Sequence, residues 1–244
     1  TYVTLTSTKP AQNVLGQSLY TTSAPANTQS GLNGPYGLVY DTNNNRLFVS
    51  QIQNQRVTVY NASTALLVPN VTMNPNAINV IGQNNYTASN ANITQNGMSN
   101  PLLLGYDLVN NRLMVSQGTL NRITFYNANI ATLIPSTPAS DGPNAIDVLG
   151  QSVLNDNVTP EYNNDGINDA PGPYAFNTPK DIEIDTINHR MFVSDSINHR
   201  ILVFNLDASN NWLDRQADFV LGQNTFYTRT PGTTSSTLNN PAGI

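Results

Sequence analysis

This 244-residue sequence predicts an all-β chain of repeated four-stranded antiparallel sheets, and three observations carry that reading. The string Val-(Leu/Ile)-Gly-Gln recurs as Val14-Leu15-Gly16-Gln17, Val80-Ile81-Gly82-Gln83, Val148-Leu149-Gly150-Gln151 and Val220-Leu221-Gly222-Gln223, with glycine spacings of 66, 68 and 72. Arginines recur ten apart, as Arg46 and Arg56, Arg112 and Arg122, and Arg190 and Arg200, so six of the eight arginines are repeat positions. Each pair frames a short apolar stretch: Leu47-Phe48-Val49-Ser50, Leu113-Met114-Val115-Ser116 and Met191-Phe192-Val193-Ser194. Two registers that agree over a fixed period mark a repeat architecture.

In the first complete unit, strands are expected at 37–40, 46–50, 56–60 and 77–81, each rich in β-branched or aromatic residues and bounded by turn residues. Asp41-Thr42-Asn43-Asn44-Asn45 joins the first two, because Asn tolerates the left-handed backbone of a tight hairpin. Residues 107–111 and 185–189 repeat that turn. The third strand, Val57-Thr58-Val59-Tyr60, recurs as Ile123-Thr124-Phe125-Tyr126 and Ile201-Leu202-Val203-Phe204. Four antiparallel strands in about 45 residues, followed by a long polar connection, make one blade of a β-propeller. The chain is therefore read as a single propeller domain or propeller segment, with complete blades at about 38–82, 102–150 and 181–222. Partial blades flank them: strands at 1–6 and 13–16, and the first strand of another blade at 241–244. A closed propeller takes about four to eight blades. The ends are therefore expected to be completed by a longer chain, by a composite blade, or by strands of another chain.

One stretch carries a family resemblance. Pro179-Lys180-Asp181-Ile182-Glu183-Ile184-Asp185, then Arg190-Met191-Phe192-Val193-Ser194-Asp195, then Asn198-His199-Arg200-Ile201-Leu202-Val203-Phe204 resembles the NHL-repeat β-propeller family. The shared pattern is Pro, apolar strand, Asp turn, apolar-Val-x-Asp, Asn-x-Arg and apolar strand. The two earlier units depart from it, with Gln51 and Gln117 where Asp195 stands. The resemblance implies the fold and leaves function open, because such propellers host binding, scaffolding and some enzymatic roles.

Composition narrows the function classes. There is no cysteine, which excludes disulfides, thiolate metal sites and a cysteine nucleophile. Charged residues are 10% of the chain and the net charge is −5. Nucleic acid is not an expected partner, because phosphate neutralisation needs clustered cations. In place of charge stand 38 Asn and 26 Thr, a pattern expected of secreted surface proteins. No apolar run reaches the roughly 18 residues of a membrane span. The opening Thr1-Tyr2-Val3-Thr4-Leu5 lacks an initiator Met and a signal-peptide layout, so the chain reads as a mature or trimmed product.

No catalytic residue set is assigned, and the chain is expected not to be an enzyme. His189 and His199 stand in identical Ile-Asn-His-Arg strings at turn positions held elsewhere by Asn45 and Gln55, or Asn111 and Asn121. They are read as turn residues rather than as a metal pair. The repeated arginines are read as structural, each guanidinium tying hairpin carbonyls or the turn carboxylates Asp41, Asp107 and Asp185. Glu161, Asn163, Asp165 and Asp169 place oxygen ligands at positions 1, 3, 5 and 9 of a calcium loop, with Gly166 at 6. Calcium is the one cofactor entertained there, although Gly172 replaces the bidentate Glu at 12. Asn-x-Ser/Thr sequons at Asn61, Asn70, Asn85, Asn92 and Asn157 are candidate glycosylation sites, all expected in connections.

In the usual blade path the connections 17–34, 83–100 and 151–178 share one face with the second-to-third turns. Binding of a protein or a glycan is expected there. The favoured function is a non-catalytic extracellular or cell-surface scaffold, adhesion or protein-interaction module. The alternatives are a subunit of a filament or surface assembly that self-associates through blade edges, and a carbohydrate-binding or carbohydrate-active protein using Tyr20, Tyr86, Tyr162 and Tyr174.

Overall fold

A single hairpin device, repeated three times, sets the blades. In the computed structural model, which describes residues 11, 13–63, 74–129, 142–151 and 171–244, the Asp41 carboxylate accepts the backbone N–H groups of Asn43 and Asn44 at 3.0 and 3.2 Å and the side-chain amide of Asn44 at 2.9 Å. Asp107 holds Val109 and Asn110, and Asp185 holds Ile187 and Asn188, in the same way. Each turn ends on a left-handed residue, Asn45, Asn111 or His189, with φ of 51°, 50° and 54°.

These turns join β1 (Pro35–Asp41) to β2 (Arg46–Gln51), β5 (Pro101–Asp107) to β6 (Arg112–Gln117), and β9 (Pro179–Asp185) to β10 (Arg190–Asp195). The third strands are β3 (Arg56–Asn61), β7 (Arg122–Asn127) and β11 (Arg200–Asn205). The fourth are β4 (Asn79–Ile81), β8 (Asp147–Leu149) and β12 (Phe219–Leu221). The chain is all-β: three four-stranded antiparallel sheets, each in the order first, second, third, fourth, form three successive propeller blades.

The expected fourth strand, 77–81, is shortened to three residues. Ala77 leaves the ladder because a preceding connection claims it: its N–H donates to the Gln29 carbonyl at 3.0 Å, and Gln29 Nε2 donates back to its carbonyl at 2.8 Å. Ala145 makes the same exchange with Gln95. The expected strand at 13–16 is reduced to an isolated bridge between Gly16 and Gly31. The companion strand at 1–6 lies outside the described residues, and residues 241–244 form no ladder.

Blades stack through two apolar layers. Phe48, Val57, Val59 and Ile81 of blade 1 pack with Met98 against Leu104, Tyr106, Leu113, Val115 and Tyr126 of blade 2. Met114, Ile123, Phe125 and Leu149 of blade 2 pack with Phe176 against Ile182, Met191, Val193, Leu202 and Phe204 of blade 3. A third, smaller layer joins Leu15 and Leu32 to Val49, Tyr60 and Ala77.

Polar clamps cross the same joints. Arg46 Nη2 donates to Asp41 Oδ2 at 2.6 Å and reaches blade 2 at the Ala128 carbonyl, 2.6 Å, and the Tyr106 hydroxyl, 3.1 Å. Arg112 pairs with Asp107 at 2.7 Å and reaches blade 3 at the Asn210 carbonyl and at Asn211 Oδ1, 3.2 Å. Its guanidinium also lies over the Trp212 ring, 4.5 Å from the centroid. The expected ties to Asp41 and Asp107 are present. Asp185 differs, because its partners are Asn188 and the turn amides, while Arg190 is exposed.

Asp41 gives the fold an acid limb. Burial alone would raise its pKa, but hydrogen bonds from Asn44, Arg46 and Tyr106 outweigh that and hold it below the ordinary 3.8. A carboxylate with a depressed folded-state pKa stabilises above its unfolded value, and the contribution is lost as pH falls through the folded one. Stability is therefore expected to drop below about pH 4, and Asp41→Asn to flatten that limb. Urea unfolding midpoints across the acid range measure it; identical acid limbs for the two proteins would refute the assignment.

Candidate functional site

Three connections have the same length of 18 residues, 17–34, 83–100 and 223–240, and the same backbone. In each the chain loops and closes on itself: Ala26 N–H donates to the Leu32 carbonyl at 3.0 Å, Asn92 to Met98 at 2.9 Å, and Gly232 to Leu238 at 3.0 Å. The opening Gly-Gln explains the recurrent string. Gly16, Gly82 and Gly222 have φ of 83°, 89° and 86°, and a Cβ there would lie within 2.8 Å of Leu32, Met98 or Leu238. The following glutamine ties the loop seven residues on: Gln17, Gln83 and Gln223 donate through Nε2 to the carbonyls of Ala24, Asn90 and Thr230 at 2.8, 2.8 and 2.9 Å.

Gln83 and Gln223 also donate to the carbonyls of Gln55 and His199, as Gln151 does to Leu120. The connections and the second-to-third turns therefore share a face. The second arginine of each pair pins that face from below. Arg56 Nη2 donates to the carbonyls of Thr28 and Gly31 at 2.9 and 3.1 Å, and its Nη1 to the carbonyl of Tyr86. Arg200 holds Gly172, Ala175 and Phe226 in the same way, and Arg122 holds Ile93 at 3.0 Å.

Gln51 and Gln117 now have a physical account. In blade 3 the fully buried Asp195 accepts Arg200 Nε at 2.7 Å, and the apolar Leu202 stands at the position of Thr58 and Thr124. In blades 1 and 2 the amide replaces the carboxylate, and its Nε2 donates to Thr58 or Thr124 at 2.8 Å. Gln with Thr, or Asp with Leu, satisfies the strand pair either way. The exchange leaves Arg56 Nε and Arg122 Nε without partners among the described residues. Burial lowers both guanidinium pKa values, that of Arg56 to about 10.

No family model matches the chain, and no curated protein matches it. Among solved structures, it is similar to the hydrazine synthase of Kuenenia stuttgartiensis at 12% identity and a TM-score of 0.46, over 86% of this chain and 41% of that one. It is similar to a chain of a nidogen/laminin complex at 9% identity and a TM-score of 0.42, over 78% of this chain and 50% of that one. The chain thus spans half or less of the length of either.

Among the described residues the face carries a polar recess of about 180 Å³ in the second connection, lined by Gln83, Asn84, Asn90, Asn92 and Asn96 between Gly82 and Gly97. The matching positions are Ser18, Ala24, Ala26 and Ser30 in the first connection and Asn224, Thr230, Gly232 and Ser236 in the third, so Asn90, Asn92 and Asn96 are particular to this loop. Primary amides both donate and accept, which suits hydroxyl or peptide groups. Sequence reasoning located the loop but not the recess. Its one-dimensional signal is the excess of Asn over aligned Ser and Ala.

The other expected site residues divide as follows. Tyr20 is 52% exposed. Tyr86 is a correction, since its ring packs against the Val49 and Tyr60 layer and its carbonyl is held by Arg56. Tyr174 donates its hydroxyl to Gln216 at 2.6 Å. Sequence reasoning passed over Tyr227, which is 69% exposed in the last connection. His189 and His199 cap opposite ends of β10, about 20 Å apart at strand spacing, too far to share a metal.

Tyr162 and the calcium candidates Glu161, Asn163, Asp165 and Asp169 lie outside the described residues, as do sequons Asn70 and Asn157. Asn61, expected in a connection, is instead the exposed last residue of β3. Asn61, Asn85 and Asn92 each accept, through Oδ1, the N–H of the hydroxyl residue two places on, at 3.0, 2.9 and 3.1 Å. A glycan on Asn92 would occupy the recess it lines.

Proposed function

We propose that the chain is a non-catalytic extracellular or cell-surface interaction scaffold, whose connection face binds a protein or a glycan. The observation that carries this reading is the commitment of the repeat residues: Gln83, Gln223, Arg56, Arg122 and Arg200 spend their donors on holding loops. Loops fixed on a rigid scaffold are where binding residues concentrate. The low charge and the abundance of Asn and Thr support a surface compartment. The amide recess and the exposed rings of Tyr20 and Tyr227 supply polar and aromatic contacts suited to a glycan or a peptide.

Glycan arrays and immobilised surface-protein fractions test this. Binding is expected, and the pair Tyr20→Ala with Tyr227→Ala should weaken it at least about tenfold without moving the melting temperature. Turnover of any member of a hydrolase substrate panel would overturn the non-catalytic assignment.

A further inference from the structure

The second connection differs from its neighbours in charge as well as in amides. Connections 17–34, 83–100 and 223–240 contain no Asp or Glu, and the hairpin carboxylates Asp41, Asp107 and Asp185 stand at the opposite ends of the strands. Beneath the connection face each blade buries one guanidinium, and among the described residues only that of blade 3 meets a carboxylate, Asp195. Gln51 and Gln117 stand in that place beside Arg56 and Arg122, at 3.3 and 3.2 Å. Both unneutralised cations touch the second connection, Arg56 at the Tyr86 carbonyl and Arg122 at the Ile93 carbonyl, 3.0 Å. The third connection rests instead on the neutralised Arg200, through the Phe226 carbonyl.

The unspent hydrogen-bonding groups of the amide recess are mostly donors. Asn92 Oδ1 accepts the Thr94 N–H at 3.1 Å, Asn96 Oδ1 the Thr94 hydroxyl at 2.9 Å, and Asn84 Oδ1 the side-chain amide of Asn85 at 3.1 Å. A backbone N–H can only donate, which fixes the orientation of the Asn92 amide. The Nδ2 groups of Asn84, Asn92 and Asn96 are left without partners among the described residues, and Asn90 keeps its whole side-chain amide. Donors around about 180 Å³, over two guanidiniums that no carboxylate neutralises, favour an oxyanion, because hydrogen bonds to a charged acceptor are roughly twice as strong as neutral ones.

We propose that this recess binds the carboxylate of an acidic sugar, with the Nδ2 groups of Asn84, Asn92 and Asn96 donating to its oxygens and Asn90 pairing with a neighbouring hydroxyl. The inference rests on the reading of the connection face as a binding face and names the ligand class for one place on it. A sugar acid fits this lining better than an aspartyl or glutamyl side chain. Its carboxylate stands among hydroxyls, which amides can pair, whereas the side chain arrives on methylene groups and no apolar side chain lines the recess.

The test follows the side-chain NH2 signals of nitrogen-15-labelled, unglycosylated protein as D-glucuronate or D-glucose is added, two sugars that differ in carrying a carboxylate or a hydroxymethyl group. Glucuronate should bind at least about tenfold more tightly than glucose and shift the signals of Asn84, Asn92 and Asn96. Asn92→Asp keeps an oxygen for the Thr94 N–H and replaces the Nδ2 donor by a negative charge, so it should lose at least about tenfold in glucuronate affinity at an unchanged melting temperature. Gln117→Asp with Thr124→Leu gives blade 2 the pair found in blade 3; it leaves the recess intact and should weaken glucuronate about threefold by neutralising Arg122. No response to glucuronate, equal affinity for the two sugars, undiminished binding in either variant, or equal binding of acetyl-aspartyl-amide would each overturn the proposal, the last in favour of a protein ligand. The scaffold reading is judged separately, since array capture and its dependence on Tyr20 and Tyr227 do not require glucuronate to bind.

Discussion

Arg200→Ala should lower the melting temperature by roughly 10 °C, since stripping one partner from a buried ion pair costs about 3–5 kcal/mol and about 2–4 °C accompany each kcal/mol at this size. Arg200 and Asp195 are both fully buried, 2.7 Å apart. Removal of the guanidinium strands a carboxylate whose pKa burial already pushes up, and it frees the carbonyls of Gly172, Ala175 and Phe226 at once. Arg190→Ala in the same 244-residue protein is the contrast, because that side chain is exposed and should change the melting temperature by less than about 1 °C. Paired calorimetric scans decide the matter. Equal shifts for the two variants would show that position in the repeat, rather than burial and partners, sets an arginine's contribution.

Gly37→Ala should destabilise by about 1–3 kcal/mol through overpacking, without removing any hydrogen-bonding group. The first strands of neighbouring blades approach so closely that a Cβ on Gly37 would lie 2.6 Å from the Leu102 carbonyl oxygen and 2.8 Å from Leu103 Cα, both backbone atoms. Ser50 Oγ donates to that same carbonyl at 2.5 Å, so neither strand can move without breaking the joint. Gly243→Ala is the control, since its Cβ would meet only Asp181 Oδ2, at 3.7 Å. Denaturant midpoints for the two variants measure the difference. A Gly37→Ala protein as stable as Gly243→Ala would mean that the inner strands are free to separate.

The two predictions draw on different kinds of information. Arg200 was legible as a structural residue from its recurrence, and the hairpin turns were legible residue by residue. The turn bonds of Asp41 run to Asn43 and Asn44, so a five-residue window contains the hairpin device, although the same carboxylate also accepts from Arg46 and from Tyr106 of the next blade. The exchange of Gln51 with Thr58 for Asp195 with Leu202 was also present in the aligned repeats, as two substitutions seven residues apart that change together. Gly37 was not legible as a contact point, since the atom it must clear is 65 residues away in another blade.

The sequence by itself determined the number of complete blades, the first three strands of each and the positions of the left-handed hairpin turns, because period-two alternation and Asp-to-amide hydrogen bonds act within a few residues of chain. Tertiary structure alone decided that Ala77 serves a connection rather than β4, that the Tyr86 ring is packed inward, and that the amides of one loop enclose a recess. It also decided that Arg46 clamps the next blade while Arg56, ten residues later, holds two loops. Partners of this second kind lie 25 to 99 residues apart. Their pairing depends on how the blades rotate and stack, and no local pattern encodes that geometry.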